Sequence, residues 1–148
     1  MNIILFQPQI PQNTGNIVRT CLALNAVLTL VRPLGFSINS KKLKRAGLDY
    51  WDEVKIDIID DLESFIDSQN KTPYFLSSKV TTPYTCAKFT HDPLLIFGSE
   101  TEGLPEHIMK KYANHFYTIP MANNARCLNL SNCVAVVGFA SLAQNSNT

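Results

Sequence analysis

The stretch PLLIFGSETEGLP, residues 93–105, passes from an apolar run to a polar loop with two glycines and ends at a proline. The apolar residues 93–97 predict a short buried strand, because a glycine follows them at once. Pro105 stands where the first turn of a helix tolerates proline, and the apolar residues Ile108 and Met109 follow it. A strand, a loop and a helix in this order form one unit of an α/β sheet.

The same alternation continues in both directions along the chain. Apolar runs predict further strands at residues 3–6, 26–31, 54–59, 73–78 and 116–119. Helical patterns separate these runs: they begin at Thr14, at the capping box of Asp60 and Glu63, and near Ser131, and a short basic helix covers residues 41–46. Strands separated by helical patterns predict an α/β fold with a mostly parallel six-stranded sheet flanked by helices, in one domain over residues 1–148.

Composition excludes several classes of protein. With 148 residues, 45% of them hydrophobic, the chain can build a core, so we exclude a disordered tail and a collagen-like chain. Apolar runs fall short of the roughly 20 residues that cross a membrane, and the N-terminal residues lack a signal-peptide pattern. We therefore expect a cytoplasmic protein without a membrane partner. The four cysteines lack C-x-x-C or zinc-site spacing, which favours free thiols and no metal.

Three loops rich in asparagine, glycine and proline follow predicted strands, at residues 11–19, 97–105 and 119–132. They lack G-x-G-x-x-G, the P-loop pattern and G-x-S-x-G, which disfavours dinucleotide, P-loop and hydrolase sites. A pocket lined by backbone remains, in which Gly98 allows close approach of a ligand and Gly103 a positive φ. The Ile119 carbonyl, Met121 and Leu128 predict a flat apolar slot for an adenine ring. Alternatively, the glycines only shape a turn and the asparagines only cap helices.

Two groups of polar residues are candidates for substrate contact. Asn13, Asn16 and Arg19 recur at three-residue spacing, which predicts a hydrogen-bonding face on the first helix, although a solvated arginine is the ordinary explanation. Since the net charge is only +1, any nucleic-acid contact must come from a local patch. Such a patch is predicted on one face of the basic helix, where phosphate contacts would combine with base stacking on the aromatic residues at 50 and 51. Its basic residues are Lys41, Lys44 and Arg45. A solvated charged face is the alternative.

Taken in order, these motifs resemble those of the SPOUT methyltransferases, the α/β-knot RNA methylases. The match is strongest to the small tRNA 2′-O-methyltransferases of the wobble nucleotide. The matching stretches are residues 11–16 with Arg19, 33–36, 41–50, 97–103, 119–121, and Arg126 with residues 129–132.

The resemblance implies a C-terminal trefoil knot and an S-adenosylmethionine site made by the last three loops. The residues implied at that site are Leu76, Gly98, Glu100, Gly103, Ile119, Met121, Cys127 and Leu128. It also implies a homodimer with cofactor pockets near the subunit interface. The substrate would be the ribose of nucleotide 34, a cytidine or modified uridine, in the anticodon stem-loop of certain leucine tRNAs.

Site roles follow from the same resemblance. Arg19 would act at the ribose 2′-OH, oriented by Asn13 and Asn16. Because a guanidinium keeps its proton, we expect an electrostatic and positioning role rather than that of a base. The RNA-binding residues would be Lys41, Lys44, Arg45 and Arg126.

Two residues depart from the family pattern. Phe139 stands where relatives often carry tyrosine, and Cys127 replaces the more usual serine at the cofactor contact. The loss of the tyrosine hydroxyl leaves open a knotted RNA-binding module without catalysis. A flavodoxin-like nucleotide binder without an RNA substrate is the second alternative.

Overall fold

The computed structural model describes residues 1–39, 41, 43, 45, 48–122, 125 and 127–146. The strands are β1 Asn2–Phe6, β2 Val27–Val31, β3 Ile56–Ile59, β4 Pro73–Leu76, β5 Leu94–Phe97 and β6 Phe116–Tyr117. Four α-helices are described over their whole length: α1 Pro11–Leu24, α2 Leu62–Ser68, α3 Glu106–Lys111 and α4 Leu130–Ser146. Short 3-10 helices cover Leu48–Glu53, Tyr84–Cys86 and Ala113–His115.

All strand pairs in the six-stranded sheet are parallel, and the strand order is β3-β2-β1-β5-β4-β6. The predicted α/β fold with a six-stranded sheet is therefore confirmed. The order differs from the 2-1-3-4-5 of flavodoxin-like proteins, so the flavodoxin-like alternative is wrong. The order reverses between β1 and β5, and ligands of open α/β sheets bind at the carboxyl ends of strands near such a point.

The core lies on both faces of the sheet, as the two-residue period of β1 requires. Ile3 and Leu5 pack on one face with buried residues of α1 and α4. Ile4 points to the other face and packs with buried residues of α2 and α3. Both faces are covered by helices, which is typical of parallel sheets.

Two helix starts differ from the predicted ones. Helix α1 begins at Pro11 rather than Thr14, with the proline in its first turn. Helix α2 is capped by Asp61 rather than Asp60, because the Asp61 side chain accepts a hydrogen bond from the Ser64 N–H at 2.6 Å. That bond lowers the pKa of Asp61. Asp60 instead forms an ion pair with a guanidinium nitrogen of Arg32 at 3.0 Å.

Residues 41, 43 and 45 of the basic segment are helical, as predicted, whereas 40, 42, 44, 46 and 47 lie outside the described residues. Residues 123, 124 and 126 also lie outside them, and the trefoil knot stays a prediction. Over the part of the chain that is described, no helix has the length and apolar character needed to span a membrane.

Candidate functional site

A cavity of about 670 Å³ opens at the carboxyl ends of β4, β5 and β6. The sheet register brings these ends to one level, since Leu76 pairs with Phe97 on one side and with Tyr117 on the other. The loops that leave the three strands therefore start side by side. The segment that leads into α4 completes the lining.

All eight residues that the resemblance implies at the cofactor site line this cavity. They are Leu76, Gly98, Glu100, Gly103, Ile119, Met121, Cys127 and Leu128. They come from four separate segments, so only the fold brings them together. Cofactor binding by these residues stays a prediction.

The loop that follows β4 was not expected at the site, yet residues 77–80 also line the cavity. Its Lys79 ammonium donates a hydrogen bond to the backbone carbonyl of Glu102 across the cavity rim, at 3.3 Å. The available signal was polar residues directly after a buried strand, as at the other two loops. The rim of the cavity thus carries the Lys79 ammonium beside Glu102. Leu76, Ile119 and Leu128 form the apolar part of the cavity wall.

The loop after β5 closes on itself. The backbone groups of Ser99 and Gly103 exchange two hydrogen bonds, at 3.2 and 3.0 Å, and Gly103 has a φ of 72°, as predicted. A Cβ on Gly98 would lie 2.6 Å from the Gly103 Cα and 2.7 Å from the Leu104 nitrogen. The approach of the Gly103 backbone therefore already requires a glycine at 98. Close approach of a ligand to Gly98, which lines the cavity, stays a prediction.

Glu100 ties this loop to the start of α1. Its carboxylate accepts hydrogen bonds from the backbone N–H groups of Gln9 at 2.8 Å and Ile10 at 3.0 Å, and from the Asn13 side-chain amide at 3.1 Å. The side-chain Oδ1 of Asn13 in turn accepts a hydrogen bond from the Asn129 side-chain amide at 2.8 Å. A negative charge at the N-terminus of a helix is stabilising, which explains why α1 begins near this contact.

The structure does not bring Asn13, Asn16 and Arg19 onto one face. Asn13 is buried and bonded to Glu100, whereas Asn16 and Arg19 are exposed. The expected orientation of Arg19 by Asn13 is therefore wrong. The Arg19 guanidinium lies instead 5.5 Å from the centre of the Tyr50 ring. Among the described residues that line the cavity, Asn13 is present and Asn16 and Arg19 are not.

The basic patch is described only in part. Lys41 and Arg45 are exposed on either side of the fully buried Leu43, while Lys44 and Arg126 lie outside the described residues. Trp51 packs against the core and is partly buried, so base stacking on it stays a prediction.

The cysteines at the site differ in their surroundings. Cys127 is exposed on the cavity wall, whereas burial raises the pKa of the Cys133 thiol to about 11. Cys21 lies in the core, where burial raises its pKa to about 12. Within the described ranges, no group of three or more His, Cys, Asp or Glu residues is arranged to hold a metal ion.

Phe139 lies on the outer face of α4, with 47% of its surface exposed. Val136 and Leu142, at three-residue spacing on either side of it, are 37% and 40% exposed. The three form an apolar stripe, and none of them is among the described residues that line the cavity. The absent tyrosine hydroxyl is therefore not part of this cavity wall.

Comparison with known proteins gives one consistent result. The profile of the SpoU rRNA Methylase family matches residues 1–139. A protein of Geobacillus stearothermophilus is 45% identical over 151 residues, covering 99% of this chain and 96% of the relative. That relative carries the provisional name tRNA (cytidine(34)-2′-O)-methyltransferase.

Solved structures have the same fold. One, described as giving insights into the 2-OH methylation of C/U34 on tRNA, is 37% identical with a TM-score of 0.91, and covers 99% of this chain and 97% of its own. An AdoMet-bound rRNA methyltransferase from Sinorhizobium meliloti is 24% identical with a TM-score of 0.85, covers 96% of this chain and 55% of its own, and supports the fold alone.

Proposed function

This chain belongs to the SpoU rRNA methylase family, and from that premise we propose that it transfers a methyl group from S-adenosylmethionine to the ribose 2′-OH of nucleotide 34 in tRNA. Nucleotide 34 is a cytidine or a modified uridine, and leucine tRNAs are the substrates. The observation that carries the proposal is the meeting of all eight implied cofactor residues in one cavity.

The cavity fits this cofactor in size and chemistry. Its volume of about 670 Å³ falls within the roughly 300–1,000 Å³ of small-molecule sites. Apolar side chains of Leu76, Ile119 and Leu128 suit an adenine ring, and Lys79 with Glu102 at the rim suits the carboxylate and ammonium of a methionine group. S-adenosylmethionine supplies an electrophilic methyl group on a sulfonium when it is bound.

Arg19 contributes charge rather than base catalysis. A guanidinium keeps its proton, so Arg19 holds a phosphate or stabilises the oxygen that develops negative charge at the ribose. As the new O–CH3 bond forms, the bond between that methyl group and the sulfonium sulfur would break, with S-adenosylhomocysteine as the leaving group. The 2′-OH proton leaves to water or to a substrate phosphate. Glu100 and Asn13 act at a distance from that oxygen, by fixing the start of the helix that carries Arg19.

The protein acts as a homodimer in which Arg19 of one protomer serves the cavity of its partner. Within one chain, Arg19 lies about 9 Å beyond Asn13 along the axis of α1, from the rise of about 1.5 Å per residue. The exposed stripe of Val136, Phe139 and Leu142 supports burial of α4 against a second copy. Both observations favour a site that is completed across the interface.

Substrate contacts come from the basic segment. Lys41 and Arg45 are exposed, and they suit the phosphates of an anticodon stem-loop. Lys44 and Arg126 remain candidates for the same role. The reaction takes place in the cytoplasm, where tRNA is available.

The test is incubation of the protein with labelled cofactor and leucine tRNA, followed by mass spectrometry of the nucleosides. We expect 2′-O-methylation at nucleotide 34 and none in a matched tRNA with 2′-deoxycytidine at that position, which lacks the accepting hydroxyl. Label on a base or at another nucleotide would overturn the proposed reaction. Binding of tRNA without any label would favour the RNA-binding module without catalysis.

A further inference from the structure

The Arg19 guanidinium lies over the face of the Tyr50 ring, 5.5 Å from its centre. This distance is within the roughly 6 Å at which a cation is attracted by the electron-rich face of an aromatic ring. Both side chains are exposed, with 37% of the Tyr50 surface accessible. The contact therefore lies at the protein surface, where a substrate can reach it.

The ring of Tyr50 stands on an anchored segment. Tyr50 belongs to the 3-10 helix Leu48–Glu53, in which the next residue, Trp51, packs against the core. Val54, directly after this helix, is buried. Arg19, in contrast, projects from α1 on a long side chain with several rotatable bonds. A fixed ring beside a flexible cation restricts the cation to fewer positions.

We propose that Tyr50 is a positioning residue for Arg19, an inference that rests on the proposed function. A guanidinium held over a ring face by cation–π attraction uses none of its five N–H donors in a hydrogen bond to that ring, so they stay free. Those donors are what a phosphate or a developing ribose oxygen requires. Tyr50 thus holds Arg19 in the orientation that is productive for methyl transfer, without contacting the reacting atoms itself.

This role predicts a different pattern from base stacking, which the sequence had suggested for Tyr50. A positioning residue acts on the rate of the bound complex, whereas a stacking residue acts on tRNA affinity. The hydroxyl is dispensable in the first role, because phenylalanine has the same ring face. Tyr50→Phe is therefore the matched control for Tyr50→Leu.

The experiment compares wild type, Tyr50→Leu and Tyr50→Phe in single-turnover methyl transfer at saturating tRNA, with tRNA Kd measured separately. We expect Tyr50→Leu to slow transfer by at least about tenfold, within the roughly 100-fold that a 1 Å misplacement can cost, with a Kd within about twofold of wild type. Tyr50→Phe should keep the wild-type rate. Melting curves check that each variant is folded, and Tyr50→Gln replaces Tyr50→Leu if the latter aggregates.

A second readout does not depend on activity. In protein labelled with 15N-arginine, the ring current of Tyr50 should shift the Arg19 Nε–H signal, which is assigned by its loss in Arg19→Lys. The shift should persist in Tyr50→Phe and disappear in Tyr50→Leu. An Arg19 signal that is identical in all three proteins would overturn the proposal.

The kinetic outcomes separate this inference from the proposed function. A wild-type protein that methylates nucleotide 34, with a Tyr50→Leu variant of equal rate, would overturn the role of Tyr50 alone. A raised tRNA Kd with an unchanged rate would also overturn it and identify a stacking residue. A wild-type protein that transfers no methyl group would overturn the proposed function, and the arginine spectra would still decide on the contact.

Discussion

The side-chain amide of Asn13 donates a hydrogen bond of 3.1 Å to the carboxylate of Glu100, 87 residues away in the sequence. The same carboxylate accepts from two backbone N–H groups just before α1, and Asn13 also accepts from Asn129. One acidic side chain therefore joins the loops after β1 and β5 to the segment that leads into α4. The cavity walls depend on this connection.

Replacing Glu100 by glutamine should loosen this connection. The amide has one acceptor oxygen, and its NH₂ group would face N–H donors, so at least one backbone N–H loses its partner. We expect the free energy of unfolding in urea to fall by about 1 kcal/mol, because a charge-assisted hydrogen bond is lost at donors that water can reach. Glu102→Gln, in the same loop, should change it by less than about 0.5 kcal/mol, as is usual at the surface. Equal stability of the two variants would contradict the role of Glu100.

The two glycines of the loop after β5 should respond differently to alanine. A Cβ on Gly98 would overlap the backbone of Gly103, whereas nothing lies within 4 Å of a Cβ on Gly103. We expect Gly98→Ala to abolish binding of S-adenosylhomocysteine in calorimetry, because the backbone must move. Gly103→Ala has only its φ of 72° to accommodate, so a destabilisation of about 1 kcal/mol is expected. A loss of affinity for S-adenosylhomocysteine of similar size in both variants would contradict the crowding at Gly98.

Most of the fold follows from local sequence. Buried strands such as β1 and β5 are short apolar runs between breakers, so their positions are predicted to within a residue or two. The start of α1 is not predicted by the local sequence, because the group that stabilises it is Glu100 on a distant loop. The capping box with Glu63 favours Asp60 in the sequence, whereas the structure uses its neighbour Asp61 as the cap and pairs Asp60 with Arg32.

The residues of the site also divide into those that the sequence predicts and those that depend on contacts between distant segments. Residues of the cofactor loops could be identified from motifs, whereas the loop with Lys79 matches no motif and carries only the weaker signal of polar residues after a buried strand. The prediction that Asn13 and Arg19 share one face of α1 is wrong for a geometric reason. Each three-residue step drifts around an α-helix, so two such steps leave these side chains about 120° apart. The partner of Arg19, Tyr50, comes from packing that no periodicity predicts.

Thiol labelling should report occupation of the cavity. At pH 8, an alkylating reagent should modify the exposed Cys127 and Cys86 first. Cys133, whose pKa is raised to about 11, stays protonated and should react only as the pH rises towards that value. Cys21 is fully buried and should react only when the protein unfolds. Excess S-adenosylhomocysteine should protect Cys127, which lines the cavity, as measured by peptide mass spectrometry.

Cys86 is the internal control of this experiment, because it is exposed and is not among the described residues that line the cavity. Its labelling rate should not change when the ligand is added. Protection of both thiols to the same degree, or of neither, would contradict binding at this cavity.

Removing the exposed cations of the basic segment should weaken tRNA binding and its dependence on salt. Each phosphate contact with single-stranded RNA contributes about 0.7 to the slope of log Kd against log salt, so Lys41→Ala with Arg45→Ala should lower the slope by about 1.4. Lys55→Ala with Lys110→Ala removes the same charge from positions 71% and 76% exposed, and should leave the slope unchanged. Equal slopes in both double variants would exclude the basic segment from the RNA contact.

Arg19→Ala should lower methyl transfer at least about 100-fold, the usual cost of losing a group that stabilises developing charge, while calorimetry shows unchanged affinity for S-adenosylhomocysteine. An equal loss of cofactor affinity would contradict this assignment.

Mixing Arg19→Ala with Leu128→Trp, which fills the cavity, tests whether Arg19 acts across the dimer. Random assembly puts half of the protomers in mixed dimers, each with one unblocked cavity facing one intact Arg19, so about a quarter of wild-type activity should return. If Arg19 served the cavity of its own chain, every mixed dimer would hold one blocked cavity and one cavity without its arginine. The mixture would then stay inactive, and that result would exclude a site shared between protomers.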